Sequence, residues 1–363
     1  MISLFRYYKI ICVLLLMVIS GITITYFLKD YKMKISTSAT EKFIQQYMIN
    51  PNGTFATYLM DDVSVNADTV AGREALSESM GLWMQYAVLK QDQSMFESSY
   101  RLLKSHFISP QNYIIWKLSP NGQVSVTTNA LGDDFRIIDS LLNASILWND
   151  DEYQELAKEI SDTLVTSVQM NGYFVDFHDF LRDESPSTLS LPYVDISALK
   201  KMNQKGIIDN STYVKYSDLL LKMPDDGVFF PKVFDVNTKQ YVFDESVNII
   251  DQLIVGIHCA ELGRKSEGLI SFLKTEFEHQ GKLMGRFTRA NRKADVTYES
   301  PSIYGLAILL AIKSDDHDWA KKLYKRMISL RDQDKSYIGG YVFDKNTHIF
   351  DNLFPLLAET AIK

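Results

Sequence analysis

Glycine-centred loops recur along this 363-residue chain at a spacing that leaves little choice of fold. They read "PNG" at Gly122, "MNGYF" at Gly172, "DDGVFF" at Gly227, "HQGKLMGRF" at Gly281 and "IGGYVF" at Gly339, roughly 50–58 residues apart. Each interval has room for two helices and two turns, and sequence identity between units is low, so the repeat is structural. The segments between loops carry helical spacing; Phe135, Ile138, Leu141, Leu142, Ser145 and Trp148 form one such face. Continuous strand alternation is scarce. About six helix pairs in one domain predict an all-α fold, an (α/α)6 toroid in which inner helices form a barrel and outer helices wrap it.

The N-terminus departs from this pattern. "MISLFRYYKIICVLLLMVISGITITYFLKDYK" carries Arg6 and Lys9 and then an uncharged run from Ile10 to Leu28, long enough to span a bilayer. The expected organisation is a short cytoplasmic N-terminus (1–9), a transmembrane signal-anchor (10–28), a polar tether (29–42) and one domain (43–363). Lys29, Lys32 and Lys34 leave the charge rule undecided about orientation. No A-x-A cleavage site follows the run, which favours a retained anchor over a removed signal peptide. Cys12 lacks the small residue that usually follows a lipidated cysteine. With only Cys12 and Cys259, neither a disulfide framework nor a thiolate zinc site is available. The net charge of -7 argues against a nucleic-acid partner. An aromatic content of 12% in an acidic chain suits sugar binding, although a Phe- and Tyr-rich core gives the same number.

Acids stand where apolar helices begin. Glu78 opens "ESMGLWMQYAVL", Asp134 heads "DFRIIDSLLNASILW" and Asp244 precedes "ESVNIIDQLIVGIHCAEL"; Glu299 and Asp351 repeat the device. Inner helices of a toroid run parallel, so acids at their N-termini would converge on one cleft. Capping of free amides and the helix dipole account for any single one of these acids equally well. Trp83, Trp116, Phe243 and Tyr298 lie beside them as candidate sugar platforms. Paired carboxylates in an aromatic cleft fit glycosidic-bond cleavage, with one acid protonating the leaving oxygen while the other stays ionised.

These residues resemble glycoside hydrolase family 8, an inverting family. Its general acid lies in a Ser-Glu-Gly-x-Gly-Tyr-Gly-Met motif, which Ser77-Glu78-Ser79-Met80-Gly81-Leu82-Trp83-Met84 matches at Ser77, Glu78, Gly81 and Met84. "IIWKLSPNG" is similar to the family's Trp-Lys hairpin. "ALGDDFRIIDSLLNASILW", from Ala130 to Trp148, follows its signature helix, with Asp134 on the second Asp and Gly132 on the first. Phe243-Asp244 keeps the Asp of the Tyr-Asp-Ala-x-Arg-Val base motif and replaces both Tyr and Arg. The resemblance implies Glu78 as general acid, Asp244 as general base and Asp134 as the residue positioning the sugar, with Asp133 as the alternative for that role. It also implies that Trp83 narrows the cleft, that loss of the motif Arg removes a charge beside the base, and that the branch is divergent. The whole chain is similar to membrane-attached or secreted hydrolases that degrade their own biofilm exopolysaccharide.

Among the remaining residues, Tyr193, Phe229 and Tyr304 sit near expected loops or helix starts and are candidates for the cleft. Arg286 suits either substrate contact or, more readily, an ion pair at the rim. Asp251 reads as structural. His178, His258 and His348 show no metal-ligand spacing, and no HExxH, phosphate loop or dinucleotide fingerprint occurs, so neither metal nor cofactor is expected. The partners expected are a polysaccharide and, through the N-terminal helix, the cell membrane, with a monomeric catalytic domain on the extracellular side. Two rivals stand beside a hydrolase: a non-catalytic glycan-binding component of a secretion system, and a polysaccharide lyase, for which no Asn-His-Tyr-Arg constellation is found.

Overall fold

The computed structural model describes residues 38–64 and 69–362. The expected anchor at 10–28 lies outside these residues; no described helix is long and apolar enough to cross a membrane. The chain divides into two units, Met1–Ser38 and Ala39–Lys363. The second unit holds every helix and strand found among the described residues.

Twelve α-helices are found among the described residues. Six form an inner set: α2 (Ser77–Lys90), α4 (Leu131–Trp148), α6 (Ile196–Gln204), α8 (Ile249–Glu261), α10 (Pro301–Lys313) and α12 (Phe350–Ala361). Each packs on the next, and α12 packs back on α2, so the ring closes. The outer set is α1 (Ala39–Tyr47), α3 (Gln93–Leu102), α5 (Asp151–Ser167), α7 (Asn210–Leu221), α9 (Glu267–Gln280) and α11 (His317–Ser329). Of these, α3, α5, α7 and α11 pack on the inner helix that precedes each, and α1 packs on α12. The architecture is mostly helical and consistent with an (α/α)6 toroid.

Composition sorts the two layers. In α10, every residue from Pro301 to Ile308 is buried, as an all-apolar helix must be. In α11 only Trp319, Ala320, Leu323 and Met327 are buried, a single stripe on an otherwise charged helix. Gly305 lets α10 and α12 approach, since a Cβ there would lie 2.6 Å from the Phe354 carbonyl carbon. Outer helices take Asp as a side-chain cap: Asp92 accepts from Met95 N–H, Asp150 from Glu152, Asp209 from Thr212 and Asp316 from Trp319.

Nine strands of two or three residues punctuate the connections among the described residues. Antiparallel β1 (Ala75–Leu76) and β2 (Lys117–Leu118) pair just before α2. Likewise β8 (Ser246–Asn248) pairs with β9 (Arg286–Thr288) just before α8. The remaining strands make a two-stranded ladder and a three-stranded sheet.

The first described helix and the last are clasped by buried acids. α1 begins at Ala39, inside the segment read as tether, because Thr40 and Glu41 have partners in the domain. Thr40 donates to Glu359 at 2.8 Å, and Glu41 accepts from Tyr86 at 2.6 Å and from Lys90 at 3.0 Å. Glu359, 4% exposed, also accepts from Tyr341 at 3.0 Å and Arg331 at 3.3 Å. Breaking a buried charge network by removing one partner costs about 3–5 kcal/mol. Glu359→Ala is therefore expected to lose stability on that order, measured by urea unfolding at neutral pH.

Candidate active site

Two short ladders fix where the acids stand. The β1–β2 pair sets Leu76 opposite Lys117, and the Ser77 N–H donates to the Trp116 carbonyl at 3.0 Å. α2 thus starts beside Trp116, with Glu78 at its second position. Neither Leu76 nor Ala130, the residues preceding α2 and α4, caps its helix with a side chain. The amides at the start of α2 are served instead from the neighbouring helix. Asp133, in the first turn of α4, accepts from the Ser77 hydroxyl at 2.6 Å and from the Glu78 N–H. Arg136, one turn further on, stands 3.8 Å from Glu78 and 3.6 Å from Asp133.

This crowding sets the protonation of the pair. Burial pushes Glu78 up to about 8; the Asp133 charge adds to the rise, Arg136 opposes it and Asp251 adds a little more. Burial also pushes Asp133 up, to about 6, against the pull of Arg136, the Ser77 hydroxyl and the Glu78 amide. Two carboxyls sharing one site do not both ionise readily, so at neutral pH Glu78 holds the proton and Asp133 the charge. The Glu78 side chain is 29% exposed, so it is reachable from solvent.

α8 brings a third acid. Asn248 accepts from the Ile250 N–H at 2.9 Å and caps α8, which places Asp251 in the first turn. Burial pushes Asp251 up to about 6, Lys232 opposes, and Asp244 adds. Its charge is felt by both Glu78 and Tyr193. Asp244 precedes strand β8 and not a helix. Arg289 donates from Nη2 to Asp244 Oδ1 at 2.8 Å and from Nε to the Asp244 carbonyl at 2.6 Å. Arg289 is also paired with Asp226, and its guanidinium lies 4.8 Å from the centre of the Phe243 ring. A cation thus stands beside Asp244 although the motif Arg is missing.

Tyr193 completes the group. Burial together with the charges of Asp133, Glu78, Asp176 and Asp251 raises its hydroxyl pKa. Its ring occupies the space over Gly132, where a Cβ would lie 2.6 Å from Cδ1. Glycine at the first Asp position of the signature is what admits Tyr193. Trp116, Phe177 and Tyr193 line a cavity of about 330 Å³ together with Asn129 and Asp176. Asp176 is held there by Thr188 at 2.7 Å and the Ser190 N–H at 2.5 Å.

The other expected residues lie elsewhere. Asp134 is fully buried, accepts from Asn129 at 2.6 Å and does not reach the cleft. Trp83 does not form a cleft wall: it is 4% exposed and packs on Phe55 and Tyr86 in the core. Phe229 and Tyr304 are likewise core residues. Phe243 and Tyr298 are exposed, and Arg286 pairs with Asp295 at 3.3 Å. Glu299 binds Arg326 and Tyr304, while Asp351 accepts from Ser300 and Ser302. These last two acids serve the scaffold. Reasoning from sequence missed Arg136, Asp176, Phe177 and Arg289 and read Asp251 as structural. Asp251 repeats the Glu78 device, an acid in the first turn of an apolar inner helix; the signal was obscured because α8 starts later than the acid-led pattern suggested.

Comparison with known proteins addresses the family and the fold. Residues 23–174 match the model of glycosyl hydrolases family 8. YdaJ of Bacillus subtilis (strain 168), named as a candidate lipoprotein, is 38% identical over 325 residues, covering 89% of this chain and 86% of YdaJ. The chain belongs to glycoside hydrolase family 8. This family 8 glycosidase also shares its fold with a novel alpha-amylase from Clostridium perfringens (TM-score 0.80, 27% identity, 89% of this chain and 96% of that one). The family 8 endoglucanase Cel10 of Klebsiella pneumoniae has the same fold at 14% identity (TM-score 0.61, 89% and 98% covered). As a family 8 member, the protein hydrolyses glycans.

The Asp133 charge is one cause of the high Glu78 pKa, so Asp133→Asn is expected to lower it. Carbon-detected NMR titration of the glutamate carboxyls reads this directly; an unmoved or higher Glu78 pKa contradicts the coupling.

Proposed function

We propose that the protein is an endo-acting, inverting glycoside hydrolase that cleaves an exopolysaccharide outside the cytoplasm. The observation that carries this reading is Glu78 at the head of an inner helix beside Asp133, its carboxyl pushed up to about 8 and its side chain still 29% exposed. A general acid must carry its proton where the reaction runs. Glu78 donates to the leaving glycosidic oxygen, and Asp133, fixed by Ser77, is placed to accept hydroxyls of the reacting sugar. Asp133 takes here the role that the resemblance offered to Asp134, because Asp134 has no exposed surface.

The general base is assigned to Asp244, which keeps the motif position and has Arg289 as its charge partner. In an inverting pair the carboxyls stand about 6.5–9.5 Å apart with water between them. One observation favours a second reading in which Asp251 is the base: its charge, and not that of Asp244, is among those felt by Glu78. Trp116, Phe177 and Tyr193 supply an aromatic subsite against which pyranose faces pack.

The cleft acids Glu78, Asp133, Asp176, Asp244 and Asp251 disfavour a uronate polymer, which supports a neutral polysaccharide and counts against the lyase. Retention at the cell membrane through 10–28, with 43–363 as catalytic domain on the outer side, rests on the apolar run and on a relative named for a lipoprotein.

Three outcomes are expected. Glu78→Gln lowers the rate of new reducing ends from the producer's own exopolysaccharide by about 10²–10⁴-fold, while binding to the polymer persists. Full activity in that variant, or binding by the wild type without new ends, transfers the assignment to a glycan-binding protein. Activity of the wild type declines as pH rises through about 8, where Glu78 loses its proton; a pH profile measures this. Azide restores turnover to the Ala variant of the true base, so Asp244→Ala and Asp251→Ala assayed side by side decide between the two.

A further inference from the structure

The ring of inner helices encloses a second cavity, of about 480 Å³. It runs from Gly132 and Arg136 near the start of α4 to Lys313 and Ala361 at the ends of α10 and α12. Three residues on its wall come from two elements. Asp195 precedes α6, while His258 and Glu261 share one face of the last turn of α8. One ligand atom from each lies within 4.8 Å of the others. The juxtaposition is created by the fold, so spacing along the sequence does not display it.

The imidazole is the telling member. His258 is 8% exposed, and its Nδ1 has no hydrogen-bond partner. The facing Glu261 Oε2 is 3.7 Å away, beyond hydrogen-bond reach. Both carboxylates are anchored through one oxygen and keep the other. Asp195 Oδ1 accepts from the Ser197 and Ala198 amides at 3.0 Å, and Glu261 Oε1 accepts from Lys313 at 2.8 Å. A buried ring nitrogen without a hydrogen bond, facing carboxylate oxygens from two elements, is a donor set that a cation can join.

We propose that Asp195, His258 and Glu261 bind a divalent first-row cation of the Zn²⁺ or Mn²⁺ type. One imidazole and two carboxylates suit such borderline ions. Donors bound at about 2.0–2.2 Å from a common centre fall within the observed mutual separation. Water from the cavity supplies the remaining positions. The helix cap on Asp195 and the Lys313 bond to Glu261 hold both carboxylates in place, the task of outer partners in a metal site. The ion would tie the start of α6 to the end of α8. The inference does not depend on the reaction assigned to Glu78.

The test titrates chelator-treated, full-length protein with Zn²⁺ and, separately, Mn²⁺ by isothermal calorimetry, with melting temperature as a second readout. One tight equivalent per chain and a raised melting temperature are expected, with affinity falling at least tenfold in both His258→Gln and Glu261→Gln. Glu78→Gln, which alters the other acid cluster, should retain the wild-type affinity. Absence of a tight equivalent in the wild type overturns the proposal, whether or not the variants fold. So does an affinity unchanged in both variants, or one lost in Glu78→Gln.

Discussion

The hydrogen bonds that Asp133 accepts from Ser77 and the Glu78 amide organise everything around them. They tie the unfinished N-terminus of one inner helix to the first turn of the next. Side-chain caps close most outer helices locally, and those acids are spent on their own amides. Where α2 and α4 begin, no local cap exists, so the amides of one helix are answered by an acid of its neighbour. The same contact that completes the helix end brings a buried carboxyl, Asp133, against a partly exposed one, Glu78. A protonated glutamic acid at neutral pH follows from how the ring closes and needs no special device of its own.

Arg136 shows how narrowly this balance is set. It stands at similar distance from both carboxyls, so it cannot serve one alone. Its charge moderates the repulsion that would otherwise drive both acids toward neutrality. On the α8 side, Asp244 has Arg289, whereas Asp251 has no comparably close cation among the described residues and is influenced by the more distant Lys232. The site therefore holds carboxyls in different electrostatic settings, the condition under which acid and base duties separate.

Much of the architecture was legible in advance because helix pairs leave a long-period signature. Gly-centred loops, strongly apolar inner helices such as α10 and striped outer helices such as α11 are direct consequences of packing in two layers. Glu78 was also legible, since a buried carboxyl at the head of an apolar helix calls for a reason. The register of the remaining acids was not. Asp133 and Asp134 are adjacent, and about 100° of helical rotation sends one to the cleft and the other into the core. Nothing in composition chooses between them; Ser77 and Asn129, from other elements, do. Asp251 stands in the first turn of α8, a place the sequence did not display, because a two-strand ladder delays the start of that helix. Trp83 was read as a cleft residue from its place beside Glu78 and from the motif alignment, and its packing on Phe55 and Tyr86 involves residues outside that motif.

The seating of the Tyr193 ring on Gly132 has a consequence for how such a sequence can change. An aspartate does not fit at position 132 while the tyrosine stays, and a smaller side chain at 193 would leave a gap over the bare glycine. The two positions are sterically coupled, so a larger residue at 132 calls for a smaller one at 193. Mutant libraries built one site at a time would therefore miss paired exchanges at 132 and 193 that packing allows.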